Sequence, residues 1–152
     1  MKNYGRRIIV DLGFEAVLGE TNRAIREEGL QMIARIDVRD HFWRELGHDF
    51  RHYFLIEAWS PELALEALRH DLDVGSILPT TFAIYELADS ETVVVAREPL
   101  SPLATDSEWR REAPALASIA DRESERVARV LARLQHASSH QASALPPTAL
   151  CR

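Results

Sequence analysis

Apolar and polar positions along this chain repeat with two periods, and their order predicts a mixed fold. Arg6 to Leu12 holds the β-branched run Ile8-Ile9-Val10, which predicts a first strand. Phe14, Val17, Leu18, Thr21, Ala24 and Ile25 follow at helical spacing. They predict a helix of about four turns ending near Glu28, with Gly29 where a C-cap belongs. The period then drops to two. Leu30, Met32, Ala34, Ile36 and Val38 form one set, suited to a core, and Gln31, Ile33, Arg35 and Asp37 form the other. Asp40 is placed to cap a short helix from His41 to Leu46, closed by Gly47. Phe50 to Trp59 predicts a third strand. Its more apolar set is His52, Phe54, Ile56 and Ala58, and its other set is Tyr53, Leu55, Glu57 and Trp59.

Ser60-Pro61 opens the next helix, with serine as N-cap and proline at the first helical position. Leu63, Ala64, Ala67 and Leu68 continue its stripe until Asp73-Val74-Gly75 breaks it. Thr81 to Leu87 and Thr92 to Arg97 predict two strands joined by a hairpin at 88–91. A last helix runs from Pro114 to Gln135. Its apolar face, Leu116, Ile119, Ala120, Val127, Val130, Leu131 and Leu134, is interrupted by Glu123. The order β-α-β-(α)-β-α-β-β-α predicts an α+β two-layer sandwich, a mainly antiparallel sheet with helices on one face. The other face is then solvated, occupied by a ligand or buried in a dimer. We expect a core domain over 1–99, a C-terminal extension with the long helix over 100–137, and a disordered Ser/Ala/Pro-rich tail over 138–152.

Composition narrows the function classes. A chain of 152 residues, 46% hydrophobic and 28% charged, can build a core without disulfides or a structural metal. A net charge of −6 argues against broad nucleic-acid binding, which needs a basic surface. No apolar run is long enough to cross a bilayer, and the one after Arg7 is too short for a signal-peptide core. A single cysteine, Cys151, cannot form an internal disulfide, so a reducing cytoplasm is the expected location. We expect no nucleic-acid partner, no membrane partner and no cofactor.

Several segments together resemble a known family. They are Glu28-Gly29, Ile36-Asp37, Trp43-Arg44-Glu45-Leu46-Gly47, Tyr53-Phe54-Leu55-Ile56, Ser60-Pro61 with Ala64, Ala67 and Leu68, Ile77-Leu78-Pro79, and Glu98-Pro99. Over residues 14–99 this order and spacing is similar to the bacterial domain-of-unknown-function 302 family. The resemblance implies a small α+β domain that forms homodimers, and it implies no enzyme class. Members of that family commonly carry cysteine where this chain has Trp59 and Thr80, so thiol chemistry does not transfer.

Four constellations could carry chemistry. Strand parity puts Arg35 and Asp37 on one face, which Tyr53, Glu57 and Trp59 could share. Arg35 would anchor an anionic group, Asp37 and Glu57 would accept hydrogen bonds, and the two rings would give flat apolar contact. This predicts a site for a small polar or anionic ligand, on the open sheet face or at a dimer cleft. The alternatives are a small acid–base enzyme using Asp37 or Glu57, and a purely structural interaction protein whose polar groups pair across the strands. His41, His48 and His52 lack the converging spacing of a metal site, and none is expected. Arg122, Arg126, Arg129 and Arg133 form a stripe with acidic residues interleaved, the pattern of a solvated helix face. Asp73-Val74-Gly75-Ser76 is a turn, since no phosphate-binding loop or nucleophile elbow occurs.

Overall fold

A computed structural model describes residues 4–98, 100 and 105–144. The elements run β1 (Arg6–Val10), α1 (Phe14–Glu27), β2 (Gln31–Asp37), α2 (Val38–Leu46), β3 (Tyr53–Trp59), α3 (Pro61–His70), a 3-10 turn (Leu72–Ile77), β4 (Thr80–Ala88) and β5 (Glu91–Arg97). Two further helices follow, α4 (Ser107–Glu112) and α5 (Pro114–Ala144). The five strands form one antiparallel sheet in the order β1-β5-β4-β3-β2, so β4 is central. The fold is the α+β sandwich that the period changes predict.

The helices cover one sheet face because their apolar stripes have only that surface to meet. Phe14, Val17, Leu18 and Ile25 of α1 pack with Val127, Val130, Leu131 and Leu134 of α5. Both helices lie over Val10, Ile56, Ala58, Phe82, Ile84, Val94 and Ala96 of the sheet. A second apolar cluster joins α3 to the first half of α5 through Leu63, Ala67, Leu116, Ile119 and Ala120. The long helix therefore contributes to both apolar clusters and packs on the sheet and α1 rather than standing apart from residues 1–99. It also continues through Ala144, past the expected stop near Gln135, so 138–144 are helical rather than disordered. The rest of the expected tail, 145–152, lies outside the described residues.

Two local boundaries differ from the sequence pattern. The α2 helix begins at Val38 because the Asp37 carboxylate, not Asp40, caps it, its Oδ1 accepting from the Asp40 amide at 3.0 Å. The β3 strand starts at Tyr53, and residues 50–52 form the loop leading into it. The expected stops hold: Gly29 and Gly47 adopt φ of 75° and 61°, the left-handed region that glycine enters without strain.

Candidate functional site

The register decides which side chains share a face, and it divides the five nominated residues. Met32 pairs with Ala58, but Ala34 pairs with Glu57, so one residue, Ile33, is left over as a bulge. An extra residue reverses the facing of everything beyond it. Arg35 therefore pairs with Ile56 and Asp37 with Phe54, on the helix-covered side, while Ala34 and Ile36 turn to the open face. The Arg35 guanidinium lies 4.4 Å from the Phe54 ring centroid, a cation–π contact. Tyr53 and Glu57 remain on the open face. Trp59 ends β3 and borders a small gap beside α3 and α5. Arg35, Asp37, Tyr53, Glu57 and Trp59 thus do not form one site, and Asp37 and Glu57 do not form an acid–base pair.

Asp37 instead lines a groove of about 560 Å3 with Arg39, Asp40, Trp43, Asp49 and His52. Its charges are already matched. Arg39 bonds Asp49 at 3.0 Å and lies 3.0 Å from His52 Nε2, Asp40 pairs with Arg44, and Asp37 caps α2. His52 also stacks on Phe14, which ties the ring to the core. Groups satisfied in this way have little left with which to recruit a ligand.

The open face is more distinctive. Register lines its residues in rows across the strands. One row is Ile36, Leu55, Ala83 and Val95, with Arg7 at the β1 edge. The next is Tyr53, Tyr85, Val93 and Ile9. A third is Ala34, Glu57, Thr81 and Arg97. Tyr53 and Tyr85 stack with centroids 5.4 Å apart, and Phe50 and Phe42 extend this ring series toward α2. Burial, with help from the Tyr85 phenol, raises the Tyr53 hydroxyl above its ordinary value, so it stays neutral at physiological pH. Ile9 and Ile36 are each 45% exposed. α1 and α5 pack on the opposite face, α2 reaches the margin of this one through Phe42, and Val93 in the second row is fully buried. The two central rows are almost wholly apolar.

A family model described as "Domain of unknown function DUF302" matches residues 7–134. The chain belongs to the DUF302 family. The match reaches Leu134, the last buried residue that α5 contributes to the core, so the DUF302 domain includes the long helix. Among solved structures, the chain is similar to an uncharacterised conserved DUF302 protein from Bacillus stearothermophilus. The two are 23% identical, with a TM-score of 0.71 over 86% of this chain and 98% of the other. At that identity the likeness speaks for the fold. No curated protein matches the chain.

One cluster in this DUF302 chain escaped the sequence pattern. Glu123, on the buried face of α5, accepts from the Thr80 hydroxyl at 2.6 Å, and its other oxygen has no partner among the described residues. Glu98 is similarly buried, holding Arg6 at 2.7 Å with one oxygen and leaving the other unpartnered. Burial pushes the Glu123 carboxyl up, against the pull of Thr80, and the nearby Glu98 charge pushes the same way. The gap beside Glu123 holds about one water (10 Å3) and is also lined by Trp59 and Ser60. Thr80 thus bonds Glu123 directly, and Trp59 shares the lining of the gap beside it. The signal in the sequence was the single acid interrupting the apolar stripe of the last helix.

The arginine stripe of α5 is half exposed, as a solvated helix face should be, and its head groups pair with neighbouring elements. Arg122 pairs with Glu66, Arg129 with Glu28, and Arg133 with Glu27 and Glu28. Arg126 donates to the Gly29 carbonyl and the Ser60 hydroxyl. These contacts fasten α5 to the ends of α1 and α3.

Proposed function

We propose that this chain is a homodimeric interaction module and that the uncovered sheet face is its docking surface. The observation that carries this reading is the pair of apolar rows, Ile36-Leu55-Ala83-Val95 and Tyr53-Tyr85-Val93-Ile9, on the face opposite α1 and α5, with Ile36 and Ile9 at their edges each 45% exposed. A contiguous apolar patch of this kind marks an interaction surface in a soluble domain. The β2 strand supports the same reading. Past the bulge it turns Ala34 and Ile36 to the open face and places Arg35 and Asp37 on the helix side, opposite to the arrangement a solvated face favours.

Five strands at about 4.8 Å spacing give a face on the order of 20 Å across. Its strands are on the order of 20 Å long, so the flat face is on the order of 400 Å2, about half of the roughly 800 Å2 per partner of a stable interface, and exposed Phe50 and Leu46 beside it extend it. Two such faces packed about 10 Å apart would form a second core between subunits. The face is also suited to its own copy, since it carries both a carboxylate, Glu57, and a guanidinium, Arg97, and neither has an ion-pair partner among the described residues.

Sedimentation of the intact chain tests this reading. The expected result is a dimer at micromolar concentration, and Leu55→Arg should convert it to a folded monomer with an unchanged helical spectrum. A monomeric unaltered chain at tens of micromolar would remove the proposal.

A further inference from the structure

We propose that the two copies meet about a two-fold axis running along β4, so that Glu57 of each copy pairs with Arg97 of the other. This rests on the dimer reading above and specifies its geometry. The inference comes from one row of the sheet. Glu57 pairs in register with Thr81, and Thr81 with Arg97, so the two charges flank the central strand at the same level. Neighbouring strands are about 4.8 Å apart, which sets the charges about 10 Å apart with Thr81 midway.

A face-to-face homodimer has its two-fold axis in the plane between the sheets. Few placements of that axis treat these charges well. An axis along β3 sets Glu57 on Glu57, and one along β5 sets Arg97 on Arg97. An axis across the strands at the Thr81 row repeats both like-charge contacts. An axis across the strands at the Ala83 row lays Glu57 on Tyr53 and Arg97 on Val93, burying each charge without a partner, which is costly. An axis along β4 sets Glu57 over Arg97 twice per dimer, with Thr81, Ala83 and Tyr85 on the axis itself. The same operation lays Leu55 over Val95, apolar on apolar. The alanine pair permits close approach at its own level, and the two Tyr85 side chains meet at the next row. Arg7 lies at the β1 edge, where twist opens the space between packed sheets and its head group reaches solvent. The two ion pairs sit at one end of the interface, where charge sets register and partner choice more than affinity.

Charge exchange tests the arrangement. Glu57→Arg and Arg97→Glu, each alone, convert both ion pairs of the dimer to like-charge contacts and should weaken dimerisation about tenfold or more. The double variant restores both pairs and should return to within about threefold of the unaltered protein. Mixing the two single variants is the sharper experiment, because a heterodimer regains both attractive contacts while each homodimer keeps two repulsive ones. Native mass spectrometry should show the mixed dimer dominating a solution in which each variant alone is mostly monomeric. Glu57→Gln and Arg97→Gln provide gentler versions, each weakening the dimer two- to threefold or more. An unaltered dimer that ignores the single variants, or shows no preference for the mixed species, overturns the axis and leaves the dimer standing. An unaltered monomer overturns both.

Discussion

Glu123 and Glu28 show how neighbours give one side-chain chemistry opposite pH behaviour. Burial first, and Glu98 to a lesser degree, raise the Glu123 carboxyl above its ordinary value of 4.5, despite the Thr80 hydroxyl. The folded chain therefore holds that proton more tightly than the unfolded chain. Stability linked to it is fully present below pH 4.5 and is lost as pH rises through the folded value. Glu28 is lowered by hydrogen bonds from Arg129 and then Arg133, which outweigh its burial. Its stabilisation is present above pH 4.5 and is lost as pH falls through the folded value. Glu123→Gln keeps an acceptor for Thr80 and cannot ionise. It should stabilise the fold at pH 8 by on the order of 1 kcal/mol and bring no gain at pH 4. Glu28→Gln should cost about 1 kcal/mol at pH 7, allowing for solvent screening of its half-exposed arginines, and nothing near pH 3. Thermal unfolding across that pH range checks both, and a Glu123→Gln gain equal at pH 4 and pH 8 contradicts the assignment.

At the scale of elements, one bulge and one cap shape the sheet's β2 edge. Ile33 stands outside the pairing, so Arg35 and Asp37 cross to the helix side and Asp37 arrives where α2 must start. Asp37→Ala removes the acceptor for the Asp40 amide and should lower stability by about 1 kcal/mol, while Asp37→Asn, also a good N-cap, should retain most of it. Chemical denaturation of the two variants side by side distinguishes a cap from a charge effect. Equal losses in both would assign Asp37 an electrostatic role instead. Period-two alternation in 31–37 predicted the strand correctly. It did not reveal the phase, because Met32, Ile33, Ala34 and Ile36 supply apolar residues in either phase, and an inserted residue leaves no mark in a pattern that reads well both ways.

For the whole molecule, the long helix is the element on which the fold depends. Val127, Val130, Leu131 and Leu134 are almost fully buried. Burying four such side chains contributes roughly 6–12 kcal/mol, comparable to the entire net stability of a small domain. A chain ending at residue 113 should therefore lose cooperative unfolding and become sensitive to protease throughout. Calorimetry and limited proteolysis would show it, and a sharp transition in the truncated chain would restore the idea of a core complete by residue 99. The same helix carries the guanidinium groups that hold α1 and α3, so its apolar and charged faces are both engaged inside one subunit. The proposed docking surface lies on the opposite side of the sheet, away from α1 and α5.

The sequence by itself determined the element types and order, the glycine stops, the family resemblance and the helix-facing half of the core, because these depend on local periodicity and on turn chemistry within a few residues. Tertiary structure alone decided which side chains meet. Register across strands is a relation between distant segments, and a single unpaired residue separated Arg35 from Glu57. Long-range packing likewise paired a half-exposed stripe of arginines with acids on α1 and α3 and set Thr80 against Glu123, since partners 43 residues apart have no common period for a sequence to display.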